Sequence, residues 1–363
     1  MMTLISQAAL FAGPGQPWQF KSLPLPLARD SEILVRVLLC TLCGSDLHSI
    51  LGRRNTPVPA VLGHEIVGQI VAMGPQAPTR DQQGAELKIG DRVCWAITTH
   101  CGSCHYCQRQ LPQKCLNGSK YGHHRVPEDG FWQGGLAQHC LLTSGTDIFR
   151  LPESISLEAA APLSCATATI AAAIRIADIQ PNESILVVGA GLLGLTACAF
   201  ARQRRPKLVV CVESDPARQE VARRFGADAV ADACQSISQC TELPAGEITH
   251  GFDCIIECTG NNAATLQALE RLRLGGRMVL VGAVYPSEPV PLVLEQIVRR
   301  HVTIHGVHNY RSEDLAAAID FMADAEKRFP FADLVHPSFR LQEIESAIDA
   351  AQDRRNIRVA IRP

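Results

Sequence analysis

A glycine-rich turn at residues 189–194 constrains the fold of this chain more than any other feature of its sequence. The turn has the pattern G-x-G-x-x-G, follows an apolar segment at residues 184–188 and opens a helical segment at residues 192–204. In this setting the first glycine permits a tight turn, the second lets the backbone approach a pyrophosphate, and the third lets helix and strand pack closely. The free N–H groups at the helix N-terminus then face the phosphates. The sequence therefore predicts a dinucleotide site with these contact residues: Gly189, Gly191, Leu192, Leu193 and Gly194.

An acidic residue follows at the position expected for ribose recognition. Glu213 stands at the end of the next predicted strand, residues 207–212, where a carboxylate hydrogen-bonds the adenosine ribose hydroxyls. That carboxylate would repel a 2′-phosphate, and Asp215 adds to the repulsion. The nearest following cation, Arg218, already lies on the next predicted helix. The pattern predicts NAD rather than NADP.

The two ends of the chain differ in their secondary-structure signals. Before residue 154, short strand patterns at 32–39 and 65–72 are broken by Gly and Pro, which predicts an irregular β domain. After it, an alanine-rich helix at 158–177 leads into apolar strands that alternate with helices, for example strands 253–258 and 276–282 around helix 262–273. This alternation predicts an α/β fold with a doubly wound parallel sheet.

The composition argues against several classes of partner. The net charge is −2 at pH 7 and no long run of like charge is present, which does not fit binding to nucleic acid or to a membrane surface. No apolar run approaches the ~18 residues that span a bilayer, and the start of the chain lacks the layout of a signal peptide. We therefore expect a cytoplasmic protein whose 15 cysteines serve as metal ligands, nucleophiles or core residues rather than disulfides.

Four cysteines lie close together in the sequence. They have the spacing C-x2-C-x2-C-x7-C, and four thiolates at this spacing can close a tetrahedral shell around zinc. A closed shell has no open position, so the predicted role is structural. His105, between the second and third of them, is interpreted as a solvated loop residue. The predicted ligands are Cys101, Cys104, Cys107 and Cys115.

A second set of possible ligands is dispersed along the chain. Cys43 begins the segment Cys-Gly-Ser-Asp-Leu-His, and His64 lies in Gly-His-Glu. Cys165 lies far downstream in the alanine-rich segment, where a lone cysteine is usually a packing residue. One imidazole and two thiolates would leave the fourth position of zinc open, as in a catalytic site. The residue pattern by itself supports Cys43 and His64 more than Cys165.

Taken together, these motifs resemble the zinc-containing alcohol dehydrogenases of the medium-chain dehydrogenase/reductase superfamily. The resemblance includes Cys43-Gly-Ser-Asp-x-His, Gly63-His-Glu, Gly90-Asp-Arg-Val, the four-cysteine lobe, Gly134-Gly-Leu-Ala-Gln, Cys165 and the glycine turn. It implies a GroES-like β-barrel catalytic domain at residues 1–154, a Rossmann domain at 155–306, a return to the catalytic domain at 307–363, and an active site in the cleft between the domains. It also implies a homodimer or homotetramer.

The resemblance assigns roles to residues of this chain. It implies that Cys43, His64 and Cys165 hold the catalytic zinc, and that Glu65 lies beside the metal and is able to ligate it transiently. It implies that Asp46 holds the tautomer of His64, and that Arg358 lies near the cofactor phosphates.

The resemblance also implies a reaction. An alcohol is oxidised by hydride transfer to NAD, with two zinc ions in the protein, one catalytic and one structural. The Ser45 hydroxyl accepts the alcohol proton, which passes through the nicotinamide ribose to His48 and then to solvent.

Three alternatives remain open at this point. The first is a polyol or amino-alcohol dehydrogenase; in the polyol branch a glutamate stands where this chain has Ala161, and an apolar residue stands at the position of Cys165. The second is a phosphonate-pathway alcohol dehydrogenase. His123 and His124 are interpreted as surface residues, either of which is able to meet an anionic substrate. The third, outside enzymes, is a zinc-ribbon protein that binds nucleic acid.

Overall fold

The computed structural model describes residues 4–128, 130–233 and 250–363. The chain divides into two compact units. Unit 1 comprises Met1–Cys165, Arg311–Glu326 and Phe331–Pro363, and unit 2 comprises Ala166–Tyr310 and Lys327–Pro330. The first boundary lies after Cys165, later than the predicted residue 154, because the short helix Leu157–Ala160 contacts strands of unit 1.

The described strands, numbered in chain order, are β1 (Ile5–Leu10), β2 (Gln19–Pro24), β3 (Ile33–Leu42), β4 (Glu65–Met73), β5 (Arg92–Trp95), β6 (His139–Leu142), β7 (Ile148–Arg150), β8 (Ser184–Val188), β9 (Leu208–Glu213), β10 (Ala229–Asp232), β11 (Phe252–Glu257), β12 (Leu272–Leu280), β13 (Thr303–Gly306), β14 (Val335–Arg340) and β15 (Arg358–Arg362).

The described α-helices are α1 (Gly44–Ile50), α2 (His105–Gln108), α3 (Leu157–Ala160), α4 (Ala166–Ala177), α5 (Leu192–Ala201), α6 (Pro216–Arg224), α7 (Asn262–Glu270), α8 (Leu294–Arg299), α9 (Ser312–Ala325) and α10 (Ile344–Gln352). Among them no single helix is long and apolar enough to cross a membrane. The segments Leu157–Ser164 and Ala166–Ala177 reach that length only together, across a bend of 58°.

Unit 2 contains a six-stranded parallel sheet in the order β10-β9-β8-β11-β12-β13. Every residue of β8 is buried, as expected for a central strand whose two faces are both covered. The strand order reverses between β8 and β11, and open α/β sheets bind ligands outside the carboxyl ends of the strands at such a point. The predicted doubly wound parallel sheet is confirmed.

The glycine turn joins β8 to α5 at this reversal point. Gly189 has φ +96°, a left-handed conformation that favours glycine, and its N–H donates to Val212 O of β9 at 2.7 Å. A Cβ on Gly194 would lie 1.7 Å from Gly189 O, whereas a Cβ on Gly191 would have open space around it. The turn therefore has no room for a side chain at Gly194, whereas the space beside Gly191 is open.

Unit 1 is built on a seven-stranded sheet in the order β14-β15-β3-β4-β5-β7, with β6 also paired to β3. Its pairs are antiparallel except β14 with β15. Strand β3 is the longest and pairs with three neighbours, and its apolar side chains lie in a core with Trp95 and Trp132. The sheet brings β15, from the end of the chain, beside β3 and next but one to β4.

The predicted helix at residues 158–177 is interrupted, so the expectation of one continuous helix is wrong. α3 ends at Ala160, Ala161–Ser164 form a 3₁₀ turn, and α4 starts at Ala166. Pro162 within this turn lacks an N–H, and Cys165 has φ −132° and ψ −81°, outside the helical region. The interruption removes Cys165 from the helix, so its position is not that of an ordinary helical packing residue.

The glycine turn generates a stability prediction. Replacing Gly194 with Ala places a methyl group on Gly189 O, so we expect G194A to lose about 2 kcal/mol or more and to lower the thermal midpoint of the unit that contains it by several degrees. The matched variant G191A adds the same methyl group in open space and is expected to keep the wild-type midpoint. Thermal unfolding followed by circular dichroism measures both, and equal midpoints would contradict this account of the turn.

Candidate active site

Helix α1 carries the first residue of the dispersed ligand set at its N-terminus. Cys43 is the N-cap, with extended backbone dihedrals, and its N–H donates to Asp46 Oδ2 at 2.9 Å while its side chain accepts from the Asp46 N–H. This reciprocal capping fixes the direction in which the Cys43 thiol leaves the helix. Asp46 is fully buried, so its second carboxylate oxygen requires a partner from elsewhere in unit 1.

That partner is the segment that leads into β4. His64 Nδ1 lies 3.0 Å from Asp46 Oδ1, and Gly63 N–H donates to the same oxygen at 3.2 Å. Gly63 has φ +83°, and a Cβ there would lie 2.6 Å from Cys40 Sγ, so the close approach requires glycine. With Nδ1 directed at a carboxylate, the imidazole presents Nε2 to the other side of the ring.

Cys165 reaches the same point from the interruption before α4. Its Sγ lies 3.4 Å from His64 Nε2, and the preceding Ser164 hydroxyl donates to His64 O at 3.3 Å. The ligand atoms of Cys43, His64, Glu65 and Cys165 all lie within 4.8 Å of one another. The structure therefore brings together the three ligands that the resemblance implied.

Glu65 and Arg358 form a buried ion pair beside these ligands. Arg358 Nε donates to Glu65 Oε2 at 2.9 Å and Nη2 donates to Glu65 Oε1 at 3.1 Å, and Thr41 Oγ1 donates to Oε2 at 2.6 Å. The same guanidinium lies 3.6 Å from Cys43 Sγ. Arg358 is 12% exposed and Glu65 is fully buried. Within unit 1 the guanidinium is thus committed to Glu65, while its contact with cofactor phosphates stays a prediction.

The protonation of the ligands reflects this crowding. The hydrogen bond from Cys165 lowers the pKa of the Cys43 thiol, and Arg358 acts in the same direction against burial. The same hydrogen bond, together with burial, raises the pKa of Cys165. Burial by itself would lower the pKa of His64, but Asp46 outweighs it and raises that pKa to about 10. The Cys43 and Cys165 thiols thus share one proton. Zinc binding would displace that proton, because zinc binds thiolates.

The donor set fits zinc. Zinc with S and N ligands at ordinary bond lengths has an S···N edge of about 3.6 Å in a tetrahedron, close to the 3.4 Å between Cys165 Sγ and His64 Nε2. Cys43, His64 and Cys165 supply three ligands, and the Glu65 carboxylate is already paired with Arg358. Three protein ligands leave a position for an exchangeable group, which is the arrangement of a catalytic zinc site.

The four-cysteine lobe has a different geometry. The Sγ atoms of Cys104 and Cys107 lie 3.5 Å apart, those of Cys101 and Cys115 3.5 Å apart, and those of Cys104 and Cys115 3.8 Å apart. The edge of a ZnS₄ tetrahedron is about 3.8 Å, so these sulfurs fit a zinc ion with no open position. Cys101 Sγ also accepts N–H from Cys104 at 3.4 Å. His105 is exposed and lies outside the four-cysteine group, as predicted, but it begins α2 rather than lying in a loop.

The two predicted proton-transfer residues lie on α1. Ser45 Oγ is 3.1 Å from His64 Nε2, so the hydroxyl lies on the metal-facing side of the imidazole. His48 follows three residues later on the same helix, where positions i and i+3 share a face. Burial lowers the pKa of His48, and Arg53 adds to this effect. His48 is therefore largely neutral at pH 7 and able to accept a proton.

The predicted cofactor residues of unit 2 lie around the glycine turn. Glu213 ends β9, and its carboxylate accepts N–H from Ala190 at 2.8 Å and from Ser214 at 2.7 Å. Asp215 caps α6 through Ala217 N–H at 2.8 Å, as predicted from the Asp-Pro pair. The carboxylate is thus held against the glycine turn, at the carboxyl end of the sheet.

Several residues near the metal ligands were missed or misplaced by sequence reasoning. His123 was expected at the surface, but it is 6% exposed and its ring centroid lies 4.6 Å from that of His64; the surface assignment is wrong. The reason is the turn at residues 120–123, where a Cβ on Gly122 would lie 2.5 Å from Gly63 O. Half-buried Arg54 and Lys120 accompany His123. Only Gly122, a glycine beside two histidines, hinted at this close approach.

Comparison with known proteins agrees with this geometry. Residues 29–153 match the alcohol dehydrogenase GroES-like domain family, and residues 193–324 match the zinc-binding dehydrogenase family. An alcohol dehydrogenase from Geobacillus stearothermophilus is 31% identical over 86% of this chain and 87% of its own length. The chain belongs to the zinc-containing alcohol dehydrogenase family. The predicted GroES-like and Rossmann fold class is thereby confirmed.

Two further relatives show how widely the family varies. The D-arabitol-phosphate dehydrogenase of Enterococcus avium is 27% identical over 94% of this chain and 93% of its own length. The crystal structure of an alcohol dehydrogenase from Thermotoga maritima has a TM-score of 0.91 and 27% identity, and covers 99% of this chain and 100% of that one. The chain is an alcohol oxidoreductase, and the zinc-ribbon nucleic-acid-binding alternative is set aside because the cysteine lobe lies within a dehydrogenase.

The geometry of His64 generates a prediction for metal affinity. Replacing Asp46 with Asn removes the charge that orients Nδ1 and raises the basicity of the imidazole, so we expect D46N to bind zinc at the dispersed ligand set roughly 10- to 100-fold more weakly. Elemental analysis after dialysis against graded chelator concentrations measures this.

The matched control is Asp81→Asn. Asp81 is also a buried carboxylate of unit 1 that accepts backbone N–H groups, from Ala85 and Arg150, but it touches none of the proposed ligands. D81N should retain zinc as the wild type does. Equal zinc retention in D46N and the wild type would refute the orienting role of Asp46.

Proposed function

We propose that this oxidoreductase is an NAD-dependent zinc alcohol dehydrogenase that interconverts an alcohol and an aldehyde or ketone. The observation that carries the proposal is the convergence of Cys43, His64 and Cys165, with His64 oriented by Asp46. The Rossmann sheet of unit 2, with its glycine turn at the point of strand reversal, supports a dinucleotide as the hydride acceptor. A cytoplasmic location and a homodimeric or homotetrameric state stay predictions from the sequence.

The chain's own residues account for the handling of the proton. Zinc at this site would act as a Lewis acid that lowers the pKa of an alcohol hydroxyl. Ser45 Oγ, 3.1 Å from His64 Nε2, is placed to accept the proton of that hydroxyl while it releases its own proton toward His48. His48, neutral at pH 7 and on the same face of α1, is the group that would exchange the proton with solvent.

The Glu65–Arg358 pair sets the charge around the ligands. A free carboxylate beside two thiolates would be repelled, and Arg358 compensates both Glu65 and, at 3.6 Å, Cys43. Burial raises the pKa of Glu65 and Arg358 opposes this effect. We propose that Glu65 is a reserve ligand whose approach to the metal requires the partial release of Arg358.

Two zinc ions per chain are proposed, one at the dispersed ligands and one in the cysteine lobe. The S···S distances of 3.5 to 3.8 Å in the lobe support a closed ZnS₄ centre. The absence of an open position gives that ion a structural role. Residues 101–115 contain only one short α-helix, the four-residue α2, so the ion would be the main group that holds them in one conformation.

The choice of NAD over NADP rests on Glu213. Its carboxylate accepts three backbone N–H groups, from Ala190, Ser214 and Asp215, which hold a negative charge at the end of β9. A 2′-phosphate would meet this charge and that of the Asp215 side chain, whereas ribose hydroxyls can donate to it.

A second candidate function within the family is a polyol or polyol-phosphate dehydrogenase. The D-arabitol-phosphate dehydrogenase relative favours it, since the likeness extends over nearly the whole of both chains. Against the polyol type, Ala161 is buried at the start of the 3₁₀ turn and offers no ligand, and Cys165 is the ligand that we propose instead. The phosphonate-pathway alternative shares with it an anionic substrate.

The proposed reaction has a direct test. We expect NAD reduction, followed by absorbance, with a panel of primary and secondary alcohols, and loss of that activity on removal of zinc. C165A should lose about a thousandfold in kcat/KM because the metal centre loses a ligand. The control C94A removes a buried thiol of β5 outside the ligand set and should retain activity. Full activity in zinc-free enzyme or in C165A would overturn the proposal.

The cofactor assignment has its own test. Replacing Glu213 with Ser removes the negative charge that opposes a 2′-phosphate, so the ratio of kcat/KM with NAD to that with NADP should fall roughly tenfold or more. Glu220→Ser, an exposed carboxylate on α6, serves as the control and should leave the ratio unchanged. An unaltered ratio in E213S would show that another residue selects the cofactor.

A further inference from the structure

Two cations and a buried histidine lie beside the proposed metal ligands, and the proposed reaction does not use them. Arg54 follows α1, and its N–H donates to His48 O at 3.1 Å. Lys120 and His123 belong to one turn, closed by the His123 N–H donating to Lys120 O at 3.1 Å. We name Arg54, Lys120 and His123 the basic cluster. Both of its segments are anchored to parts of unit 1 that carry residues of the candidate active site.

The position of the basic cluster is fixed by close packing on the His64 segment. The His123 ring contacts that of His64, with centroids 4.6 Å apart. Gly122 approaches so closely that a Cβ there would lie 2.5 Å from Gly63 O and 3.2 Å from His64 Cβ. Arg54 Nη1 lies 3.4 Å from His123 Nε2. His123 and, through it, Arg54 are therefore held next to the proposed metal ligands.

The hydrogen-bonding capacity of the basic cluster is almost entirely that of donors. A guanidinium has no acceptor, so Arg54 is the donor to His123 Nε2, and the ring proton of a neutral His123 then lies on Nδ1. His123 Nδ1 is buried and has no described partner. The Lys120 ammonium adds three further donors. The buried Nδ1–H of His123 requires an acceptor.

The charges around the basic cluster are also uncompensated. Within the described parts of the chain, neither Arg54 nor Lys120 forms an ion pair with a carboxylate. Glu65 is paired with Arg358, and Asp46 accepts His64 Nδ1 and two N–H groups. A divalent zinc would balance the two thiolates. Two positive charges then remain on this side of the ligand set.

The pKa of Lys120 reflects its burial and its charged neighbours. Burial lowers the pKa of Lys120, the Cys165 thiol opposes that effect, and Arg54 adds to it. An anion between Lys120 and Arg54 would relieve their mutual repulsion and meet the free donors.

We propose that Arg54, Lys120 and His123 form a subsite for an oxyanion group of the substrate, which is therefore an alcohol that carries a phosphate, phosphonate or carboxylate. This inference rests on the proposed alcohol dehydrogenase function and narrows its substrate class. The cations hold the anionic end while the hydroxyl reaches the metal position, so the length of the carbon chain between the two groups determines which alcohols react. Charge-assisted hydrogen bonds to Arg and Lys orient oxyanions strongly.

Steady-state kinetics test the subsite. Short ω-hydroxyalkyl phosphates, phosphonates and carboxylates are compared with their neutral methyl esters of equal chain length, and the ratio of kcat/KM for the anionic over the neutral alcohol is measured. We expect a ratio of roughly 10 to 100 in the wild type for at least one anion class. The three arms show which oxyanion is preferred. The ratio should fall toward 1 in the double variant R54Q/K120M.

Two further variants make the result interpretable. The single variant Arg54→Lys keeps the charge at position 54 and leaves Lys120 unchanged. It should therefore keep much of the wild-type ratio, unlike R54Q/K120M. Arg125→Gln removes an exposed cation two residues beyond His123 and should leave both kcat/KM values unchanged. Circular dichroism and thermal midpoints establish that each variant is folded. A ratio near 1 in the wild type, or an unchanged ratio in R54Q/K120M, would overturn the subsite.

A binding measurement separates this proposal from the proposed function. Inorganic phosphate is titrated calorimetrically into zinc-loaded protein saturated with NAD, so that the cofactor's own phosphate contacts are already filled. We expect binding to the wild type and at least tenfold weaker binding to R54Q/K120M. Equal affinity in both proteins would refute the subsite. If no alcohol is turned over, the proposed function fails, while phosphate titration still reports on the basic cluster.

Discussion

The buried carboxylate of Asp46 is the constraint on which the candidate active site depends. It is fully buried, and it accepts the N–H of Cys43, the N–H of Gly63 and the ring of His64. Leaving a buried carboxylate unpaired costs on the order of several kcal/mol. The buried carboxylate therefore requires these three donors to be in place together. Because Cys43 begins α1 and His64 directly precedes β4, one side chain holds two elements, and the ligands on them, in a fixed relation.

Most of unit 2 was predictable because its signals are local. A wholly apolar strand before the glycine turn, an Asp-Pro helix start and regular alternation of strands with helices each depend on neighbours in the sequence. The interruption at residues 161–165 was not predicted, because alanine-rich sequence favours helix on both sides. It results from Pro162 and from the packing of the 3₁₀ turn against β3, β4 and β5, which is a tertiary effect.

The candidate site was predictable only in part. Residues close together in the sequence were recognised from their motifs, whereas residues far apart were not. Cys43, Asp46 and His64 lie close enough in sequence for their motifs to be recognised together. Cys165 required the resemblance to a known family. The pairing of Glu65 with Arg358 joins residues 293 positions apart, and it exists because β15 adds to β3 beside β4. No periodicity or spacing contains that information, and the same holds for His123, whose burial depends on the approach of Gly122.

The charges of unit 1 support a separation between the proposed chemistry and the proposed recognition of the substrate. Both carboxylates at the proposed centre are occupied by protein groups, Asp46 by His64 and Glu65 by Arg358. This holds the ligands in place and leaves no acceptor in that shell for the cations of the basic cluster. In the proposed subsite, Arg54 and Lys120 would therefore select an anion without altering the proposed metal ligands.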